Sequence, residues 1–139
     1  MSNYTKTHIG DEGRVELHET LSLTGAEISI NKLPAGANVP FIHSHKNNEE
    51  IYGIVDGKGK VIIDNETIEL KAGDWLKINP EAKRQFFAAS DSQITYICIQ
   101  VKENSLELLL QMTLLYIHID KQANPPEFKS KRVFSLILY

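Results

Sequence analysis

The amino-acid sequence predicts an all-β fold, a sandwich or barrel of short strands. Short β-prone runs follow one another at even spacing up to about residue 101. Turns rich in Gly, Pro, Asn and Asp separate them, and no helical period competes over the same stretch. With 139 residues and 42% hydrophobic content, the chain has material for one core and one domain.

Arg14 to Leu17 and Ala26 to Leu33 are the first β-compatible runs, and Pro34-Ala35-Gly36-Ala37-Asn38 turns the chain. Phe41 to His45 is extended and ends in the polar turn Lys46-Asn47-Asn48. Glu50 to Val55 and Lys60 to Asp64 read as two arms of a hairpin around Asp56-Gly57-Lys58-Gly59. A turn at 64–66 leads into Thr67 to Leu70, and Lys71-Ala72-Gly73-Asp74 leads into Trp75 to Ile78, which Asn79-Pro80 ends. Gln85 to Ala88 and Ile94 to Val101 complete the set. Beyond them the pattern changes. Leu106 to Ile119 is apolar without a regular period, Asn124-Pro125-Pro126 breaks it, and Lys129 to Arg132 precedes a β-prone apolar run over 133–139. Left uncovered, that last run is an aggregation hazard, so it needs the barrel or another subunit against it.

The net charge of −3 and the absence of a basic block argue against a nucleic-acid partner. One cysteine, Cys98, cannot form an internal disulfide, which fits a reducing compartment. Met1 to Lys6 lack a secretory signature, and no apolar run reaches the roughly 18 residues that span a bilayer. The expectation is a cytoplasmic protein without a membrane partner.

The chemistry concentrates in His43-Ser44-His45 and Glu50. Two histidines two apart on a strand point to one side. A carboxylate five residues further on, past a polar turn, can return beside them on the neighbouring strand. Two imidazoles and a carboxylate at one point suit a divalent transition metal. Two surface histidines are the plain alternative. Glu49 is a rival carboxylate, but Glu50 shares a strand face with Tyr52 and Ile54, which suit an interior. His8, His18 and His118 are isolated and read as surface or structural residues; Cys98, within an apolar strand, reads as inert core.

Written out, the segment is Gly36, six residues, His43-Ser44-His45, four residues, Glu50, six residues, Gly57. This resembles the first motif of the cupin superfamily, with one extra residue after the first glycine. Gly73-Asp74-Trp75-Leu76-Lys77-Ile78-Asn79-Pro80 resembles the first half of the second motif. The second half departs: Ala82 stands where glycine is usual, and Gln85 where a third metal-binding histidine is expected. The resemblance covers about residues 26 to 101.

The resemblance implies a single-domain jelly-roll β-barrel over residues 1–105, a C-terminal extension of unassigned structure over 106–139, and a homodimer. It implies a divalent metal (zinc, iron, manganese or nickel) held by His43, His45 and Glu50. Gln85 is then a fourth ligand through its amide oxygen or a hydrogen-bonding neighbour of the metal site. Phe41, Tyr52 and Phe87 are candidates for lining a ligand cavity beside the metal, with plain core packing the alternative for each. Two functions follow. One is a metal-dependent protein acting on a small molecule; the other is a non-catalytic binding or sensing barrel that has lost tight metal binding. Residues 108–139 match nothing in the cupin pattern. A dimerisation arm, a lineage-specific addition and a shifted reading frame are the readings open for them.

Overall fold

The alternation of apolar and polar residues in the middle of the chain folds into two facing layers that share one long strand. The computed structural model describes residues 2–106 and His118. Its elements are β1 (Arg14–Glu16), α1 (His18–Leu21), β2 (Glu27–Leu33), β3 (Asn48–Ile63), β4 (Glu66–Lys71), β5 (Trp75–Ile78), β6 (Arg84–Ala88) and β7 (Ile94–Lys102). In the first layer β1 pairs β2, β2 pairs β7, and β7 and β5 flank the first half of β3. In the second, β4 and β6 flank the second half of β3. All pairings are antiparallel, and the sheet is not closed into a continuous ring.

The expected hairpin at Asp56-Gly57-Lys58-Gly59 does not form. Residues 48–63 are one continuous strand of 16 residues. Its register against β7 shifts between Ile54 and Asp56, and Gly57 takes a φ of +74°. The bulge bends β3 from one layer into the other. The glycines permit close backbone approach here rather than a reversal. A Cβ on Gly57 would lie 1.8 Å from the Gln93 carbonyl oxygen, and one on Gly59 would lie 2.1 Å from that of Phe87. Two further expectations change. His18–Leu21 forms one helical turn, and β1 stops at Glu16. Phe41 to His45 is not a regular strand; it touches β6 through the isolated bridge His43–Arg84.

The core is Tyr52, Ile54, Val61, Leu70, Ile78, Phe86, Ala88, Ile94, Tyr96 and Cys98. The Phe86 ring stacks on Tyr96 at 4.8 Å and packs against Tyr52 at 4.4 Å, each between centroids. Full burial of each large apolar side chain contributes about 1.5–3 kcal/mol. Interior positions alternate along the strands, so β3 sends Glu50 and Tyr52 inward and β6 sends Arg84 and Phe86.

The chain divides into two units, Met1–Glu103 and Asn104–Tyr139. The second lies almost wholly outside the described residues, and with it the expectations for 107–117 and 119–139. No helix among the described residues is long and apolar enough to cross a membrane.

Candidate metal centre

Glu50 is the hub of the site. The alternation of β3 turns it inward, where it is 4% exposed. Its Oε1 lies 2.9 Å from His45 Nε2 and takes a long contact of 3.5 Å from the Cys98 thiol. Its Oε2 accepts from Tyr52 Oη at 2.6 Å, and from Arg84 Nε at 2.9 Å and Nη2 at 2.5 Å. His43 Nε2 stands 3.8 Å from Oε2, beyond hydrogen-bond reach, and His43 Nδ1 is buried without a partner. One donor atom from each of His43, His45 and Glu50 lies within 4.8 Å of the others.

A buried carboxylate is costly unless paired and hydrogen-bonded. Burial works to raise the Glu50 pKa. The nearby His43 imidazole, the hydrogen bonds from Tyr52 and Arg84, and the charge of Arg84 overcome that and hold it well below the usual carboxylate range. Burial, with the nearby Glu50 charge, pushes the Cys98 thiol up to about 12. Burial also raises the Tyr52 hydroxyl, so at neutral pH the hydroxyl and the thiol are donors to an ionised carboxylate.

Arg84 went unrecognised in the sequence. It is 0% exposed and anchors its remaining donor, Nη1, on the carbonyls of Pro80 at 3.1 Å and Ala82 at 2.7 Å. Counting through the second motif points to Gln85 instead. In the structure Gln85 lies at the cavity wall and gives its amide N–H to Val39 O at 2.7 Å. No hydrogen bond ties it to His43, His45 or Glu50 among the described residues. A one-residue offset on a strand exchanges the two faces. The same offset corrects Phe87: its ring lies under Lys60 Nζ at 5.5 Å, and Phe86 is the aromatic that lines the cavity. Glu49 points away and pairs with Lys77 at 3.2 Å.

The cavity has a volume of about 300 Å3, at the small end of ligand sites. Its lining includes His43, His45, Glu50 and Gln100 together with the rings of Phe41, Tyr52 and Phe86. Phe41 meets His43 edge-on at 5.6 Å between centroids and is 58% exposed, which puts it at the rim. Arg14 and Asn31 also line it, joined by a hydrogen bond of 2.6 Å. Gln100 contacts His45 Nδ1 at 3.1 Å. The atom in contact is the amide Nε2, so Nδ1 accepts and His45 Nε2–H donates to Glu50 Oε1 at 2.9 Å; turning the amide over would move the proton to Nδ1 and free the Nε2 lone pair to ligate.

These donors fit a divalent ion. His43 has no hydrogen bond at either ring nitrogen among the described residues, and Oε1 of Glu50 is the oxygen not held by Arg84. The ion's identity is not set by this donor set.

An inward His-x-His, a carboxylate on a shared long strand and a small interior cavity define a cupin-type barrel. The chain belongs to the cupin family: residues 30–100 match the cupin domain. A cupin protein from Bacteroides fragilis is 65% identical, with a TM-score of 0.73, over 76% of this chain and 89% of that one. A cupin-superfamily sugar phosphate isomerase from Silicibacter pomeroyi is 19% identical, with a TM-score of 0.58 over 65% of this chain and 60% of that one, and shares the fold. An uncharacterized protein of Methanocaldococcus jannaschii is 32% identical over 66 residues, 48% of this chain and 52% of its own length. The chain thus spans about half the length of that curated relative.

Proposed function

We propose that the protein binds a divalent metal through His43, His45 and Glu50 and uses it to hold a small molecule in the adjoining cavity. The observation that carries this reading is the convergence of three donor atoms within 4.8 Å on the wall of a 300 Å3 cavity. A bound divalent ion supplies Lewis-acid polarisation of a ligand oxygen. The chain's own residues do the rest. Arg84 and Tyr52 fix the carboxylate, Gln100 orients the His45 ring, and Phe41 and Phe86 exclude water from one side of the cavity.

The test is elemental analysis of the purified protein alongside His43→Ala and His45→Ala. The expected result is near-stoichiometric divalent metal in the parent chain and a large loss in both variants. Equal content in all three proteins overturns the assignment. One observation favours a second reading, a metal-free binding barrel: the Arg84 guanidinium already neutralises Glu50. A parent chain that carries no metal and takes none up on incubation supports that reading.

A further inference from the structure

The histidine segment runs along β6 with a fault in its register. Isolated bridges pair Asn38 with Phe87 and His43 with Arg84. Residues 39–42 therefore face residues 85–86, four against two, and two residues are surplus. Both ends of the bulge are tied to β6. Val39 N donates to Phe86 O at 3.0 Å, and the Gln85 amide donates to Val39 O at 2.7 Å. His43 N donates to Arg84 O at 3.3 Å, and Arg84 N to His43 O at 3.0 Å. Between these ties Pro40-Phe41-Ile42 makes no hydrogen bond among the described residues. Its two large apolar side chains stand in the open, Phe41 58% and Ile42 64% exposed. Phe41 also lines the cavity and meets the His43 ring edge-on.

We infer that Pro40-Phe41-Ile42 is a lid, open in this structure, that closes over His43 once the site holds its metal ion. This rests on the metal reading above and adds how the site retains the ion. The segment can move without breaking a hydrogen bond, and its ties to β6 confine the movement to these residues. Exposed apolar surface gives the movement its direction, since covering Phe41 and Ile42 takes them out of water. His43 makes closure depend on loading. Its Nδ1 is already buried without a partner, and its Nε2, 3.8 Å from Glu50 Oε2, relies on solvent. Closing over an empty site strips that nitrogen of water, at a cost that holds the lid open. With Nε2 satisfied by a bound ion, the cost disappears. Loading and closure therefore favour each other.

The experiment compares the parent chain with Phe41→Ala and Phe41→Leu. Each is loaded with cobalt(II), followed by d–d absorption, and release is started with excess EDTA. The expected result is release about tenfold faster from Phe41→Ala than from the parent chain, with an intermediate rate from Phe41→Leu. Uptake runs through the open form, so its rate is unchanged. Phe41 lies outside the core, so the urea midpoints of the metal-free proteins should coincide. A second measurement reads the lid directly. Phe41→Trp in a Trp75→Phe background carries a sole tryptophan, and its quenching by acrylamide should fall severalfold when zinc is added. Equal release rates from the parent chain and Phe41→Ala overturn the lid and leave metal binding intact. Indole quenching that zinc does not change does the same. Slower uptake by Phe41→Ala overturns it too, because the ring is then part of the site and not its cover. No cobalt spectrum in the parent chain overturns the metal reading itself, and the lid with it.

Discussion

Replacing Arg84 with methionine tests the buried network most directly. The guanidinium makes two contacts to Glu50 Oε2 and two to the carbonyls of Pro80 and Ala82, all buried except the half-buried one to Ala82. Removing one partner of a buried ion pair costs about 3–5 kcal/mol. Each abandoned carbonyl adds up to about 1 kcal/mol. Tyr52 and His45 stay on the carboxylate and soften the loss. The expected destabilisation of Arg84→Met is therefore about 4 kcal/mol, a large share of the roughly 5–15 kcal/mol that holds a domain together. Urea unfolding at neutral pH, followed by far-UV circular dichroism, measures it. Adding Glu50→Gln removes the stranded charge, so the double variant should regain about 2 kcal/mol relative to Arg84→Met alone. The pH dependence has a definite sign. A carboxyl whose native pKa lies below its ordinary 4.5 contributes stability that is whole above that pH and is lost as the pH falls toward the native value. The gap between parent and Arg84→Met therefore narrows as the pH is lowered through that range. A loss under about 1 kcal/mol at neutral pH, the size of a surface pair, would refute the buried-pair account.

Other consequences can be read with the same unfolding assay or a simple thiol probe. Gly57→Ala should destabilise by about 2 kcal/mol or more, because φ is +74° and the new Cβ would meet Gln93 O at 1.8 Å. Gly36→Ala, at φ +76° with nothing within 4 Å, should lose only about 1 kcal/mol; equal losses would remove the close-approach argument. Phe86→Ala should cost about 3–5 kcal/mol and Phe87→Ala about 1 kcal/mol or less; the reverse order would show that the faces of β6 are exchanged. Cys98, raised from 9.0 to about 12, should resist a disulfide reagent in the native state and react on unfolding. Its raised pKa contributes stability present below pH 9 and lost as the pH rises toward 12, so Cys98→Ala should weaken the pH dependence in that alkaline window.

The all-β character was legible because apolar alternation and turn chemistry agree over most of the first hundred residues. Asp64-Asn65 turns as expected, both residues taking positive φ at 47° and 75°. Lys71 to Asp74 also turns, with the Asp74 carboxylate accepting the Lys71 N–H at 2.8 Å. Asp56-Gly57-Lys58-Gly59 misled for a physical reason. Glycine marks either a reversal or a place where another backbone comes close, and only the partners Gln93 and Phe87, far along the chain, decide between them. Local sequence carries no record of those partners. Glu50 was legible over Glu49 because parity along an unbroken strand is a short-range property, shared with Tyr52 and Ile54.

Parity fails where loops intervene, and here that failure bears on function. Arg84 and Gln85 follow a turn, and both faces of Arg84-Gln85-Phe86-Phe87-Ala88 carry one polar residue and one aromatic. Counting alone therefore cannot choose the inward face. The hydrogen bonds do: Arg84 N to His43 O at 3.0 Å and His43 N to Arg84 O at 3.3 Å lock the histidine segment to β6 rather than to β3. With that lock the guanidinium lies beside Glu50, and the centre has a cation where a neutral amide was expected. A neutral amide would have added a weak metal ligand and no charge. The cation adds no ligand and fixes one carboxylate oxygen. An offset of one residue along β6 thus puts a guanidinium, rather than an amide, on the Glu50 carboxylate.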